Sequence, residues 1–154
     1  ARGESLADKP AFRDAFRRRR CLIPASGFYE WKTIADEARR LRRQPYYISL
    51  KSTETMAFGG LWESWTTPTG EVVRSCCIVT TAANDLLHAV HDRMPLILAA
   101  EQWPAWLAAP AAEVVPLIRP LADAELQCWP VSQRVGQASN DDPALIVPLA
   151  EERR

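Results

Sequence analysis

The sequence predicts an α+β fold: a curved, mostly antiparallel β-sheet with short covering helices. Three observations carry this. From Cys21 to Thr81, apolar runs rich in β-branched and aromatic residues alternate with turn residues, the pattern of hairpin-connected strands. From Glu101 to Arg119 the apolar residues fall at helical spacing. Twelve prolines and six tryptophans suit a domain built from many short elements. At 154 residues the chain reads as a single domain, 1–154, long enough to bury a core.

Ala1 to Glu4 reads as the end of an extended segment. Pro10 can open a short helix, because its missing N–H costs nothing in the first turn. Phe12 and Phe16, four apart, share a face of that helix. Arg17 to Arg20 then form a run of four arginines, which suits either a solvated helix end or phosphate contact. Arg20 to Lys32 reads as a hairpin, a strand and its return around a tight turn at Ser26-Gly27. In the second strand Tyr29 and Trp31 share one face, the better core face, and Phe28, Glu30 and Lys32 share the other. Thr33 to Gln44 is polar and arginine-rich and reads as a loop or short helical excursion. Pro45 to Leu50, Met56 to Trp65 and Glu71 to Thr81 continue the antiparallel meander. Gly59-Gly60 marks a bulge or a close backbone approach, and Pro68-Thr69-Gly70 a turn. Asn84-Asp85 can cap a short helix through Leu86, Leu87 and Val90. His91 to Pro95 leaves it as a loop, and Leu96 to Leu98 is extended again. Two short helices, Glu101 to Leu107 and Ala111 to Arg119, flank Pro110. They are expected to cover the sheet through Trp103, Trp106, Val114, Val115 and Leu117. Gln127 to Val131 is a late strand, and Asn140 to Pro143 turns the chain into a last apolar piece, Ala144 to Leu149.

Nineteen basic and nineteen acidic residues leave no net charge. Nucleic-acid binding therefore needs a local basic surface rather than a bulk one. No apolar run approaches membrane-spanning length and no signal peptide is visible, so the chain reads as cytoplasmic with no membrane partner. The four cysteines show no CxxC and no zinc spacing. They read as reduced thiols, and their apolar strand contexts are those of inert ones. Cys76 and Cys77 are strand neighbours that point to opposite faces. His88 and His91, the only histidines, lie near Asp85 and Asp92 but form no recognisable ligand set, so no metal or other cofactor is assigned. Glu30 sits between Phe28 and Lys32 on its strand face. A carboxylate beside an apolar ring can have a raised pKa and serve as an acid or base, although the local pattern by itself favours a simply solvated strand carboxylate. For His91 the alternatives are a loop imidazole held by a hydrogen bond and a proton shuttle near neutral pH.

Four segments in order carry a resemblance. They are Arg20-Cys21-Leu22-Ile23-Pro24-Ala25-Ser26-Gly27-Phe28-Tyr29-Glu30-Trp31-Lys32, Gly60-Leu61-Trp62-Glu63, His91-Asp92-Arg93-Met94-Pro95-Leu96, and Pro130-Val131-Ser132 with Asp141-Asp142-Pro143. Together they resemble the SOS-response-associated peptidase (SRAP) family over nearly the whole chain. The resemblance implies a barrel-like core, of which this chain is the C-terminal, larger part. It also implies a function: binding single-stranded DNA and capturing the aldehyde of an abasic site. In the family the amine of an N-terminal cysteine forms an imine and its thiol closes a thiazolidine; that cysteine, exposed by removal of the initiator Met, is expected upstream of Ala1, as is an asparagine directly before it. By motif the resemblance makes Glu30 and His91 the catalytic acid–base pair and Arg2 a DNA-phosphate contact, and Arg93 is a further candidate cation for DNA. Glu30 and His91 are expected within hydrogen-bond reach. The chain is expected to be a monomer and, without the upstream cysteine, unable to form the stable crosslink. A thiol-type peptidase acting on other proteins and a non-catalytic nucleic-acid-binding fragment are the alternatives.

Overall fold

The computed structural model of the chain describes residues 1–35, 39–52 and 54–150. After a 3-10 turn at Gly3–Ser5, helix α1 (Pro10–Arg18) begins on Pro10, buries Phe16 and packs Phe12 beside it. Strands β1 (Arg20–Ala25), β2 (Phe28–Ala35), β3 (Leu41–Leu50), β4 (Met56–Thr66), β5 (Val72–Ile78) and β6 (Thr80–Ala82) follow. Helix α2 (Asp85–His88) leads to β7 (Arg93–Pro95); α3 (Trp103–Ala108) and α4 (Ala111–Val114) precede β8 (Leu126–Pro130). The Asn84 side chain caps α2, accepting the Leu87 N–H at 3.0 Å.

The strands pair in three antiparallel sheets, ordered β1-β4-β5, β2-β3-β8 and β6-β7, and no closed barrel forms among the described residues. The α+β class and the antiparallel pairing match the expectation from sequence. The single meander does not, and the correction falls at Ser26-Gly27. β1 lies along β4, with Ala25 opposite Met56, while β2 pairs with β3, with Phe28 opposite Ile48. The turn is therefore a crossover between sheets, not a hairpin. A Cβ at Gly27 would lie 2.4 Å from the Ile48 carbonyl oxygen and 2.5 Å from Tyr47 Cζ, so the crossover runs against β3 where only glycine fits. The β2–β3 hairpin also takes up much of the expected loop: Thr33 to Ala35 and Leu41 to Gln44 are paired strand, and residues 36–38 lie outside the described residues. The expected long strand from Glu71 to Thr81 breaks at Val79, whose N–H goes to Gly59 O (2.9 Å) and whose carbonyl accepts from Leu96 N (2.8 Å). Extended structure begins at Arg93 rather than Leu96.

Gly59 joins the sheets. Its N–H donates to Leu96 O at 2.8 Å, and a Cβ there would meet Leu96 and Trp106 at 2.9 and 3.1 Å. The close approach lets Trp106 lie fully buried against the sheet, its Nε1–H donating to Cys21 O at 2.9 Å. Trp106, Phe16, Leu61, Val79 and Val114 form one core cluster under α1, α3 and α4. Ile48, Met56, Phe58, Leu87, Met94 and Leu126 form a second. Val115, expected to cover the sheet, is exposed instead, because a 3-10 turn at Val115–Leu117 rotates it outward. The face of β2 is also reversed from expectation. Phe28 packs on the second core cluster, edge-on to Phe58, while Tyr29 packs at a tilt against Tyr47, which in turn packs at a tilt against Trp129. The Tyr29 side thus meets an aromatic layer of β3 and β8, and the Phe28 and Glu30 side faces inward. No helix among the described residues is long and apolar enough to cross a membrane.

Candidate functional site

A cleft of about 400 Å³ opens where β2, β4, β6 and β7 approach one another. Phe28, Tyr29 and Glu30 enter from β2, Phe58 from β4, Ile78 from β5, Arg93, Met94 and Pro95 from β7, and Arg2, Thr80 and His91 complete the wall. Pairing decides this convergence. Arg2 forms a parallel bridge with Thr80, and β6 pairs Thr80 with Pro95, which brings His91 to the same rim.

Glu30 is half-buried in this wall, and its carboxyl is raised above the ordinary range chiefly by burial. His91, the Trp31 amide and Arg43 pull the other way, and Asp92 adds to the rise. Phe28 and Phe58 line the same cleft. His91 is anchored through one ring nitrogen. Its Nδ1 accepts the Arg93 N–H at 3.0 Å and lies 3.2 Å from both Asp92 Oδ1 and Arg93 O. The neutral ring, protonated on Nε2, is held by the amide; the imidazolium is held by the carboxylate and the carbonyl. Glu30 and His91 line the same cleft, and no hydrogen bond between them is among the described ones; His91 acts on the Glu30 carboxyl through its charge.

Arg2 is exposed at the rim. Arg93 faces the same cleft but is tied down: its Nη1 and Nη2 donate to the two Glu4 carboxylate oxygens at 2.8 and 3.0 Å, and Nη2 also donates to Thr80 O at 2.7 Å. The guanidinium holds the Glu4 carboxyl below its ordinary range. Glu4, Thr80 and Arg43 were not singled out from the sequence. The one available signal was an acid two residues after Arg2, and nothing local pairs it with Arg93, far along the chain.

The arginine run divides by environment. Arg17 and Arg18 are exposed, and Arg19 pairs with Glu63 at 2.7 Å. Arg20 is buried, donating to Phe16 O at 2.6 Å and to the carbonyls of Trp106 and Ala109, which leaves it unavailable for phosphate. Those carbonyls lie near the C-terminal ends of α1 and α3, where a cation is favoured. His88 is exposed on α2, away from the cleft. Cys76 is exposed rather than buried, because it lies on the face of β5 opposite Cys77, which packs on the first core cluster. Burial pushes the Cys21 thiol up and that of Cys128 to about 11, and no cysteine is among the described residues lining the cleft.

Comparison with known proteins points the same way as the geometry. A family model described as SOS response associated peptidase (SRAP) matches residues 1–138. The abasic site processing protein YoqW of Bacillus subtilis (strain 168) is 38% identical over 149 residues, 95% of this chain and 65% of that protein. The abasic site processing protein HMCES of Xenopus tropicalis is 28% identical over 171 residues, covering 96% of this chain and 49% of that protein. An X-ray structure of a protein from Bacteroides thetaiotaomicron superposes with a TM-score of 0.88 at 28% identity, covering 97% of this chain and 65% of that one. The chain thus spans about 65% of the length of YoqW.

Proposed function

The chain belongs to the SOS response associated peptidase family, and from that premise we propose that it supplies the acid–base and DNA-contacting part of a domain that processes abasic sites in single-stranded DNA. One observation carries the reading. Glu30, with its raised carboxyl, shares a cleft with His91 and the exposed Arg2. An abasic sugar is mostly a closed hemiacetal, and opening it requires a proton at the ring oxygen. Glu30, protonated more readily than an ordinary carboxyl, donates it. The freed aldehyde is attacked by the amine of a cysteine carried by the part of the domain upstream of Ala1. His91 moves the protons that convert the resulting carbinolamine to an imine with loss of water. The cysteine thiol then adds across the imine carbon and closes a thiazolidine. Arg2 and the exposed Arg17 and Arg18 are cations for the phosphate backbone. The peptidase activity that the family's name implies acts, in this reading, at least on the protein's own initiator Met, whose removal exposes the cysteine. A thiol peptidase built on this chain's own cysteines is disfavoured by the raised thiols of Cys21 and Cys128 and their distance from the cleft.

Glu30→Gln, placed in a chain of full family length, tests the assignment. It keeps shape and polarity and removes the titratable proton. Crosslinking to an abasic site, read on a denaturing gel without borohydride, is expected to slow by about a hundred- to ten-thousand-fold. Affinity for intact single-stranded DNA is expected to change little, and a ring-opened aldehyde analogue to restore part of the rate. Crosslinking at the unsubstituted rate returns Glu30 to a solvated strand residue.

A further inference from the structure

Arg93 is the junction of three parts of the site. Its guanidinium grips Glu4 in a fork, with Nη1 and Nη2 at 2.8 and 3.0 Å from the two carboxylate oxygens. Nη2 reaches back to Thr80, 2.7 Å from its carbonyl and 3.1 Å from its Oγ1. Its own amide donates to His91 Nδ1 at 3.0 Å. Thr80 in turn receives the segment that carries Arg2: its N–H donates to Ala1 O at 2.7 Å, and it bridges Arg2 in parallel. An exposed ion pair contributes little by itself. Glu4 is 53% exposed, but on the arginine side this pair differs: the Arg93 side chain is only 22% exposed and its Nε is buried with no partner. Without the carboxylate, Nε stays an orphan, Nη1 loses its Glu4 acceptor and Nη2 is left with Thr80 alone.

We propose that Glu4 is a positioning residue that acts through Arg93, fixing His91 and the Arg2 segment at the rim of the cleft. Glu4 itself touches neither sugar nor base. Its carboxylate sets the guanidinium plane. That plane fixes the backbone of Arg93, whose amide holds the His91 ring, and it clamps Ala1 to Glu4 against β6.

The activity arm of its test rests on the function proposed above; the spectroscopic arm does not. Five proteins of full family length are compared: unsubstituted, E4Q, E4D, R93Q and E4Q/R93Q. Without DNA, side-chain NMR follows the Arg93 Nε–H and the His91 ring protons. E4Q is expected to move both sets of signals, with the melting temperature within a few degrees of the unsubstituted protein. E4D restores the charge and is expected to return them part of the way. With abasic single-stranded DNA, E4Q is expected to slow the reaction about ten- to a hundredfold, the cost of a misplaced group. E4Q/R93Q is expected to be no slower than R93Q alone, since both break one unit. Unmoved His91 and Arg93 signals in E4Q, or losses that multiply in the double variant, overturn the proposal. Signals that move in a protein indifferent to abasic DNA overturn the proposed function and leave the clamp standing.

Discussion

Burial raises the Glu30 carboxyl while His91 and Arg43 restrain the rise, and the balance has a consequence for stability. A carboxyl raised in the folded state holds its proton more tightly there than in the unfolded chain. Its stabilising contribution is complete below the ordinary carboxylate pKa and is lost as pH rises through the raised folded value. Glu30→Gln is neutral at every pH. It is therefore expected to melt at a higher temperature than the unsubstituted protein at pH 8, with the gap closing toward about pH 4. Thermal scans at the two pH values check this, and a gap of equal size at both removes the burial argument. Glu4 behaves oppositely, since Arg93 lowers its carboxyl; its contribution is present at neutral pH and lost as acid titrates the pair. At this scale the sequence was informative about Glu30 and His91 as chemical types. It could not separate Arg20 from Arg17 and Arg18, because burial of one arginine in a run depends on which carbonyls arrive from α1 and from the Trp106 to Ala109 stretch.

Among the elements, the crossover at Ser26-Gly27 has the least freedom. The Ile48 carbonyl and the Tyr47 ring leave no room for a methyl group at Gly27. Gly27→Ala must displace β3 backbone, which the β2–β3 and β3–β8 ladders resist on both sides. A loss of about 1–3 kcal/mol is expected, in line with overpacked interiors, read as a lowered urea midpoint. Gly136 provides the contrast: it has open space around it and no left-handed φ. Gly136→Ala is expected to be neutral or to stabilise by about 0.4–1 kcal/mol through the unfolded chain. Equal losses at the two positions would show that steric contact at the crossover is not what selects glycine there. The strand positions themselves were legible from alternation. Their partners were not, because a two-residue turn reads the same whether the chain folds back on itself or steps to another sheet.

Over the whole molecule, the end of the β4–β5 hairpin stands apart from both core clusters. Trp65, Val72 and Val73 are 60%, 56% and 41% exposed, and β5 is the edge of its sheet. An apolar edge strand invites pairing with another chain. Val73→Lys is expected to reduce concentration-dependent light scattering of the 154-residue chain while leaving the melting temperature unchanged, because the side chain makes no core contact. Scattering equal to that of the unsubstituted chain assigns the association to another surface.

Composition and alternation were enough to determine the α+β class, the approximate position of most elements and the α2 cap at Asn84; the candidacy of Glu30 and His91 came from the family resemblance of the short motifs that hold them. Each is a local property, carried by side-chain period, turn chemistry or a short run of residues. Tertiary structure decided which strands pair, which face of β2 turns inward, and that Arg93 is held by Glu4 rather than open to solvent. Those outcomes depend on contacts between residues far apart in the chain, such as Gly27 with Ile48 and Glu4 with Arg93. Their free energy depends on packing and desolvation that exist only once both partners have arrived, so no local pattern encodes them.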